Sequence, residues 1–213
     1  MNKFLWLIGL PVIVAVISML VSSFTQRQRV SQALSVVAQP STIVMVESAD
    51  SNANGDRLAH PPIRQTFTSG TYRLVISTED NWKTPLTQAK LFQGSTVLWE
   101  KALPHQYGPK FVLIGTQGNV LLLDEFINVA SPHAITLIDI KGQAIAQHSV
   151  KAIQTTLNLS TADLTKQATT GWWISAAPTL NQLENCATVL TGGTTLSIDL
   201  ETGAIGPRDP SII

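Results

Sequence analysis

"VLLLDEFINVASPHAITLIDIKGQAIAQ", residues 120–147, is the most ordered stretch of the chain. Two apolar arms, "VLLL" (120–123) and "AITLI" (134–138), flank a polar bridge that holds Asp124, Glu125, Asn128, Ser131 and His133. Each arm has the length and β-branched or leucine-rich content of a buried strand. Pro132 inside the bridge lacks a backbone donor and breaks any ladder between the arms. "DIKGQ" (139–143) then turns the second arm back into "AIAQ". The bridge therefore reads as a connection between hairpins, with its acids bonding turn amides and with any function limited to binding.

The pattern repeats outward in both directions. "YRLVIS" (72–77) is a strand; "AKLFQGSTVLWEKAL" (89–103) and "FVLIGTQGNVLLLDE" (111–125) each place a glycine turn between two apolar arms, as hairpins do. "GWWISAAP" (171–178) and "CATVLTGGTTLSIDLETGAI" (186–205) supply further strands, with "TGG" (191–193) as a hairpin turn rather than a phosphate loop. Between them, Ser160 is placed to cap a short helix over 162–168, and no other run keeps a helical period. Short strands parted by Gly and Asn turns mean an all-β domain of repeated antiparallel hairpins. It is assigned to residues 71–213, behind a linker over 31–70 that carries one strand, "STIVMVES" (41–48), and an irregular Asn-, Gly- and Pro-rich loop.

"TLIDIKGQAI" (136–145) and "LSIDLETGAI" (196–205) match as apolar–Asp–apolar–polar–Gly–apolar, and "LFQGSTVLW" (91–99) is a looser copy. Asp199, Thr202, Gly203, Gly94 and Trp99 resemble the turn and strand end of blades in β-propellers of the quinoprotein-alcohol-dehydrogenase-like kind. The resemblance covers residues 71–207 in two to three degenerate units. It implies a propeller-like arc or a folded-over sandwich, and it implies no redox cofactor, because the full tryptophan signature is missing. "LLDEFINVASPHAI" (122–135) is also similar to stretches of uncharacterised bacterial envelope proteins.

The first thirty residues stand apart. Phe4 to Val21 is an uncharged apolar run of eighteen residues behind Lys3. At about 1.5 Å per residue it would span roughly 27 Å, near the thickness of a bilayer core. The expectation is a membrane anchor, or uncleaved signal, in residues 1–30, with the C-terminal domain extracytoplasmic (periplasmic). Removing these residues leaves 11 basic and 14 acidic side chains, a net charge of −3. No basic patch marks a nucleic-acid binder. Cys186 is the single cysteine, so no internal disulfide forms; it reads as a small buried apolar side chain.

Candidate chemistry is sparse. Asp124 and Glu125 could act as an acid–base pair only if they converged, and neighbours on a strand point to opposite faces. One is therefore expected to bond the loop and the other to face solvent. Asp124, Ser131 and His133 can be drawn as a triad, without a GxSxG elbow to support it. His60, His105, His133 and His148 form no close metal-ligand spacing. His105 and Tyr107, in a connection between two prolines, and Trp172 and Trp173, expected on opposite faces of one strand, are the candidate ligand-binding residues. The functional expectation is a membrane-anchored binding or scaffolding protein with a protein partner in the envelope and no cofactor; an envelope hydrolase using the 124–133 loop is the alternative.

Overall fold

The opening "VLLL" arm forms a strand that is buried along its whole length. All six residues of β6 (Val120–Glu125) are buried. Val120 and Leu122 join one apolar cluster with Leu74, Ile76, Leu91 and Trp99. Leu121 and Leu123 join another with Ala187, Val189, Leu196 and Ile198. Side chains alternate across a strand, so an unbroken apolar run is the signature of a strand covered on both faces. Truncating Leu122 to Ala would cost about 2–5 kcal/mol, the usual range for a leucine cavity.

The computed structural model describes residues 61–183 and 185–208. They fold as three four-stranded antiparallel sheets, each a simple meander in chain order. The first holds β1 (Arg64–Ser69), β2 (Tyr72–Ser77), β3 (Thr87–Gln93) and β4 (Thr96–Leu103). The second holds β5 (Pro109–Ile114), β6, β7 (Ile135–Ile138) and β8 (Ala144–His148), and the third holds β9 (Thr179–Asn181), β10 (Cys186–Thr191), β11 (Thr194–Asp199) and β12 (Ile205–Pro207). The all-β expectation holds for these residues, with two short helices between β8 and β9. Both the anchor expected over 4–21 and the strand expected over 41–48 lie outside the described residues. Among the described residues no helix is long and apolar enough to cross a membrane. The irregular loop expected in the 31–70 linker gives way to β1 at Arg64, which pairs with Ser77.

The internal repeat is a repeat of sheets. Gly94, Gly142 and Gly203 each follow the third strand of their sheet and lie at positive φ. A row of paired residues also recurs: Leu74–Leu91–Trp99 in the first sheet, Leu121–Leu137–Ala146 in the second, Thr188–Ser197–Gly206 in the third. The first two rows face the next sheet. A Cβ on Gly142 would stand 2.9 Å from Trp99 Cγ, and one on Gly203 would stand 2.2 Å from Ala146 Cβ. Gly142 and Gly203 thus lie against the last strand of the preceding sheet, while Gly94, in the first sheet, faces open space. The third row, small and polar, ends the apolar stacking. Asp139 and Asp199 organise their turns locally: Asp139 Oδ1 accepts from the amides of Lys141 and Gln143, and Asp199 Oδ1 from those of Glu201 and Thr202.

Helix α1 (Val150–Leu157) was not signalled by the sequence pattern; only Val150 and Ile153 are buried, too short a stripe to show a period. Ser149 caps its start and Asn158, in the left-handed region, ends it. Helix α2 (Thr161–Lys166) has the expected Ser160 cap, reinforced by Asp163 in a capping box. "GWWISAAP" is not a strand. Residues 171–178 form a bent segment whose Trp173 and Ile174 are fully buried in the second cluster.

Candidate functional site

Asp124 and Glu125 do diverge, but both are buried, at 0% and 4% exposure. The expectation that one faces solvent is corrected: β6 is covered on both sides, so both of its faces are interior. Asp124 sits at φ +57°, a conformation that Asp tolerates better than most residues. Its Oδ1 accepts from the Glu125 amide at 3.0 Å and its Oδ2 from the Trp172 amide at 2.7 Å. Gly171 makes this approach possible, since a Cβ there would lie 2.5 Å from Oδ2. Burial pushes the Asp124 carboxyl up to about 6, against the pull of the Trp172 and Glu125 amides and of Lys110.

Glu125 faces the other way. Its Oε1 accepts from the Ser131 hydroxyl at 2.8 Å, while Ser131 Oγ accepts from the main-chain amide of His133 at 2.8 Å. Burial raises the Glu125 carboxyl above its ordinary range, with the Ser131 bond opposing. Oε2 is buried without a side-chain or main-chain partner in bonding geometry. The candidate triad is therefore not assembled. Asp124 is spent on Trp172, Ser131 on Glu125, and the His133 ring bonds the Gln147 amide through Nδ1.

His105, a candidate ligand-binding residue, is buried at 1% exposure. Its Nε2 lies 3.0 Å from the His133 carbonyl, which can only accept, so Nε2 carries the proton and Nδ1 is a bare lone pair. Nδ1 is buried and unpartnered. Burial drives the ring's pKa down to about 4. Trp173 is core, and Trp172 is half-buried against the same core. Cys186 is half-buried rather than buried, with Sγ 2.8 Å from Ser197 Oγ. Among the described residues, no three His, Cys, Asp or Glu side chains come together as a metal site would require.

Tyr107 is a candidate that remains partly open, and its partner is Trp82, a residue the sequence pattern did not single out. Their rings lie 5.7 Å apart at 53°. Trp82 sits at φ +62° directly after Asn81 at +56°, an unusual pair for residues with side chains. The loop is held in that shape by Asp80 and Thr78. Asp80 Oδ2 accepts from the Thr84 amide and hydroxyl at 2.9 and 2.7 Å, and the Trp82 amide donates to Thr78 Oγ1. The Thr84 hydroxyl bond leads the effects that lower the Asp80 carboxyl. Trp82 Nε1 donates to the Pro61 carbonyl, and the Tyr107 amide to that of Pro85. Ile63 and Leu86, 54% and 64% exposed, flank these connections. The available signal was the "DN" turn pair before Trp82, which tolerates left-handed backbone.

Comparison of the chain with protein-family models, with curated proteins and with solved structures finds no match.

Proposed function

We propose that this chain is a membrane-anchored, extracytoplasmic binding or scaffolding protein, whose β domain is a propeller-like arc of three sheets. The arc reading is supported by the threefold recurrence of the meander and by the turn glycines that lie against the preceding sheet. The small, polar row Thr188–Ser197–Gly206 suits an arc that stops rather than one that continues. Anchoring rests on the apolar run 4–21.

The observation that carries the binding reading is the Trp82–Tyr107 pair. Two half-buried aromatic rings, one on the β2–β3 loop and one on the β4–β5 connection, are both held at positive φ, beside exposed Ile63 and Leu86. Rigid aromatics lose little entropy on binding and supply much contact area. Backbone strain of this kind is retained where the surrounding structure enforces it, frequently at ligand contacts. A protein partner in the envelope fits such a surface. The test is photocrosslinking of the full chain in its native membrane, with a probe at residue 86. Loss of a discrete adduct on Trp82→Ala and on Tyr107→Ala would support the reading; an adduct unchanged by both would remove it.

The hydrolase alternative would use the Ser131–Glu125 bond as its starting point. It requires Ser131, 3% exposed, to be uncovered and turned from Glu125 toward an imidazole. A substrate screen in which Ser131→Ala abolishes a wild-type turnover would favour it over binding.

A further inference from the structure

The polar contact between Asp124 and the 169–174 segment has no part in the binding surface and asks for its own explanation. The segment carries Trp172 and Trp173 but forms no regular element. Trp173 and Ile174 seat it in the core, and its polar groups are held by few bonds. Thr169 and Thr170 bond the Ile174 carbonyl within the segment. The Ser175 amide and Thr191 hydroxyl tie it to the third sheet, through the Leu190 and Trp173 carbonyls. Its polar tie to the second sheet is Asp124, whose Oδ2 accepts from the Trp172 amide with the Trp173 amide also bearing on the carboxyl.

We infer that Asp124 is a proton-sensitive tie between the second sheet and this segment, firm when its carboxyl is neutral and loosened when it is ionised. The geometry gives the reason. Asp124 is fully buried and is pressed against Gly171 with no room for a Cβ, so no water shell can form around an ionised carboxylate there. Among the described residues, the charged groups that reach it are Lys110 from β5, which favours the anion, and Glu125 beside it on β6, which opposes it. The segment itself has no ionisable side chain, and neither has β7. The main-chain amides of Trp172, Glu125 and Trp173 and one partly exposed lysine replace hydration incompletely. The raised pKa of the carboxyl is the same fact expressed as a titration. When the stretch around Gly171 and Trp172 lifts from the carboxyl, Asp124 regains water and its ordinary acidity. Opening therefore releases a proton in the range between the two acidities, and mass action makes opening more frequent as pH rises through it. The direction is opposite to that of an exposed carboxylate holding a cation, which lets go on acidification.

The experiment is hydrogen exchange of the full chain in detergent between pH 4 and 8, corrected for the intrinsic pH dependence of exchange and read on peptides covering 169–174 and, as reference, 120–123. Opening of 169–174 should become up to about a hundredfold more frequent between pH 4 and 6.5 and then level off, while 120–123 changes far less. Lys110→Ala should move the midpoint upward, because it removes a cation that favours the anion. Asp124→Asn should flatten the profile; if that variant fails to fold, Lys110→Ala alone decides. A flat wild-type profile, a profile unchanged in Asp124→Asn, or a midpoint unmoved by Lys110→Ala would each overturn the inference.

Discussion

Gly142 lies over the indole of Trp99: a Cβ on the glycine would fall 2.9 Å from Trp99 Cγ, although the two residues belong to different sheets. The same residue holds φ at +82° and donates its amide to the Asp139 carbonyl. Gly142→Val should therefore cost about 2–4 kcal/mol, combining backbone strain with overpacking. Trp99→Ala made on top of it should recover the steric part but not the backbone part. Chemical denaturation of both singles and the double gives the coupling; additive losses would show that the indole and the turn do not press on one another.

Asp124 and Glu125 should behave alike when truncated, unlike a buried acid beside an exposed one. Asp124→Ala leaves the Trp172 and Glu125 amides without their acceptor and should cost about 2–4 kcal/mol. Glu125→Ala strands the Ser131 hydroxyl and should cost about 1–3 kcal/mol. Glu125→Gln keeps an acceptor for Ser131 and removes a buried ionisable group, so its melting point should match or exceed wild type at pH 7. A melting point for Glu125→Ala equal to wild type would mean that the carboxyl is not buried in solution.

The pH dependence of stability should be nearly flat between pH 4 and 6.5, through cancellation. Asp124, raised from 3.8 to about 6, binds its proton more tightly folded than unfolded; its stabilisation is present at low pH and lost as pH rises to 6. His105, lowered from 6.5 to about 4, is the reverse: its contribution is present above 6.5 and lost as pH falls to 4. Each is worth about 3 kcal/mol across its window. His105→Gln should expose the Asp124 slope, so that urea midpoints rise on acidification from pH 6.5 to 4. Midpoints that fall in that variant would show that Asp124 is not the buried, raised group described.

The expected anchor is tested separately from the fold. The full chain should resist carbonate extraction from membranes, and a version lacking residues 1–30 should be released while keeping its β signature, because Phe4–Val21 is the long uncharged apolar run. A truncated chain that still pellets with washed membranes would remove this assignment.

Much of the domain was legible because the relevant physics is local. Alternation and unbroken apolar runs mark strands; Gly94, Gly142, Gly192 and Gly203 mark turns because their backbone angles are strained for other residues. The Ser160 cap and the repeat of Asp139 and Asp199 turns are likewise contained within a few residues. Tertiary structure decided the rest. "VLLL" announces a buried strand, but not that sheets on both sides would bury Asp124 and Glu125 as well. Asp124 and the Trp172 amide are 48 residues apart, and nothing in either stretch names the other. Trp82 meets Tyr107 only because β2, β3 and β4 bring two connections to one end of the first sheet. Helix α1 escaped notice because two buried side chains are enough to hold it once neighbouring sheets supply the other half of the core. A side chain's chemistry depends on what surrounds it, and for these carboxylates and rings the surroundings come from distant parts of the chain.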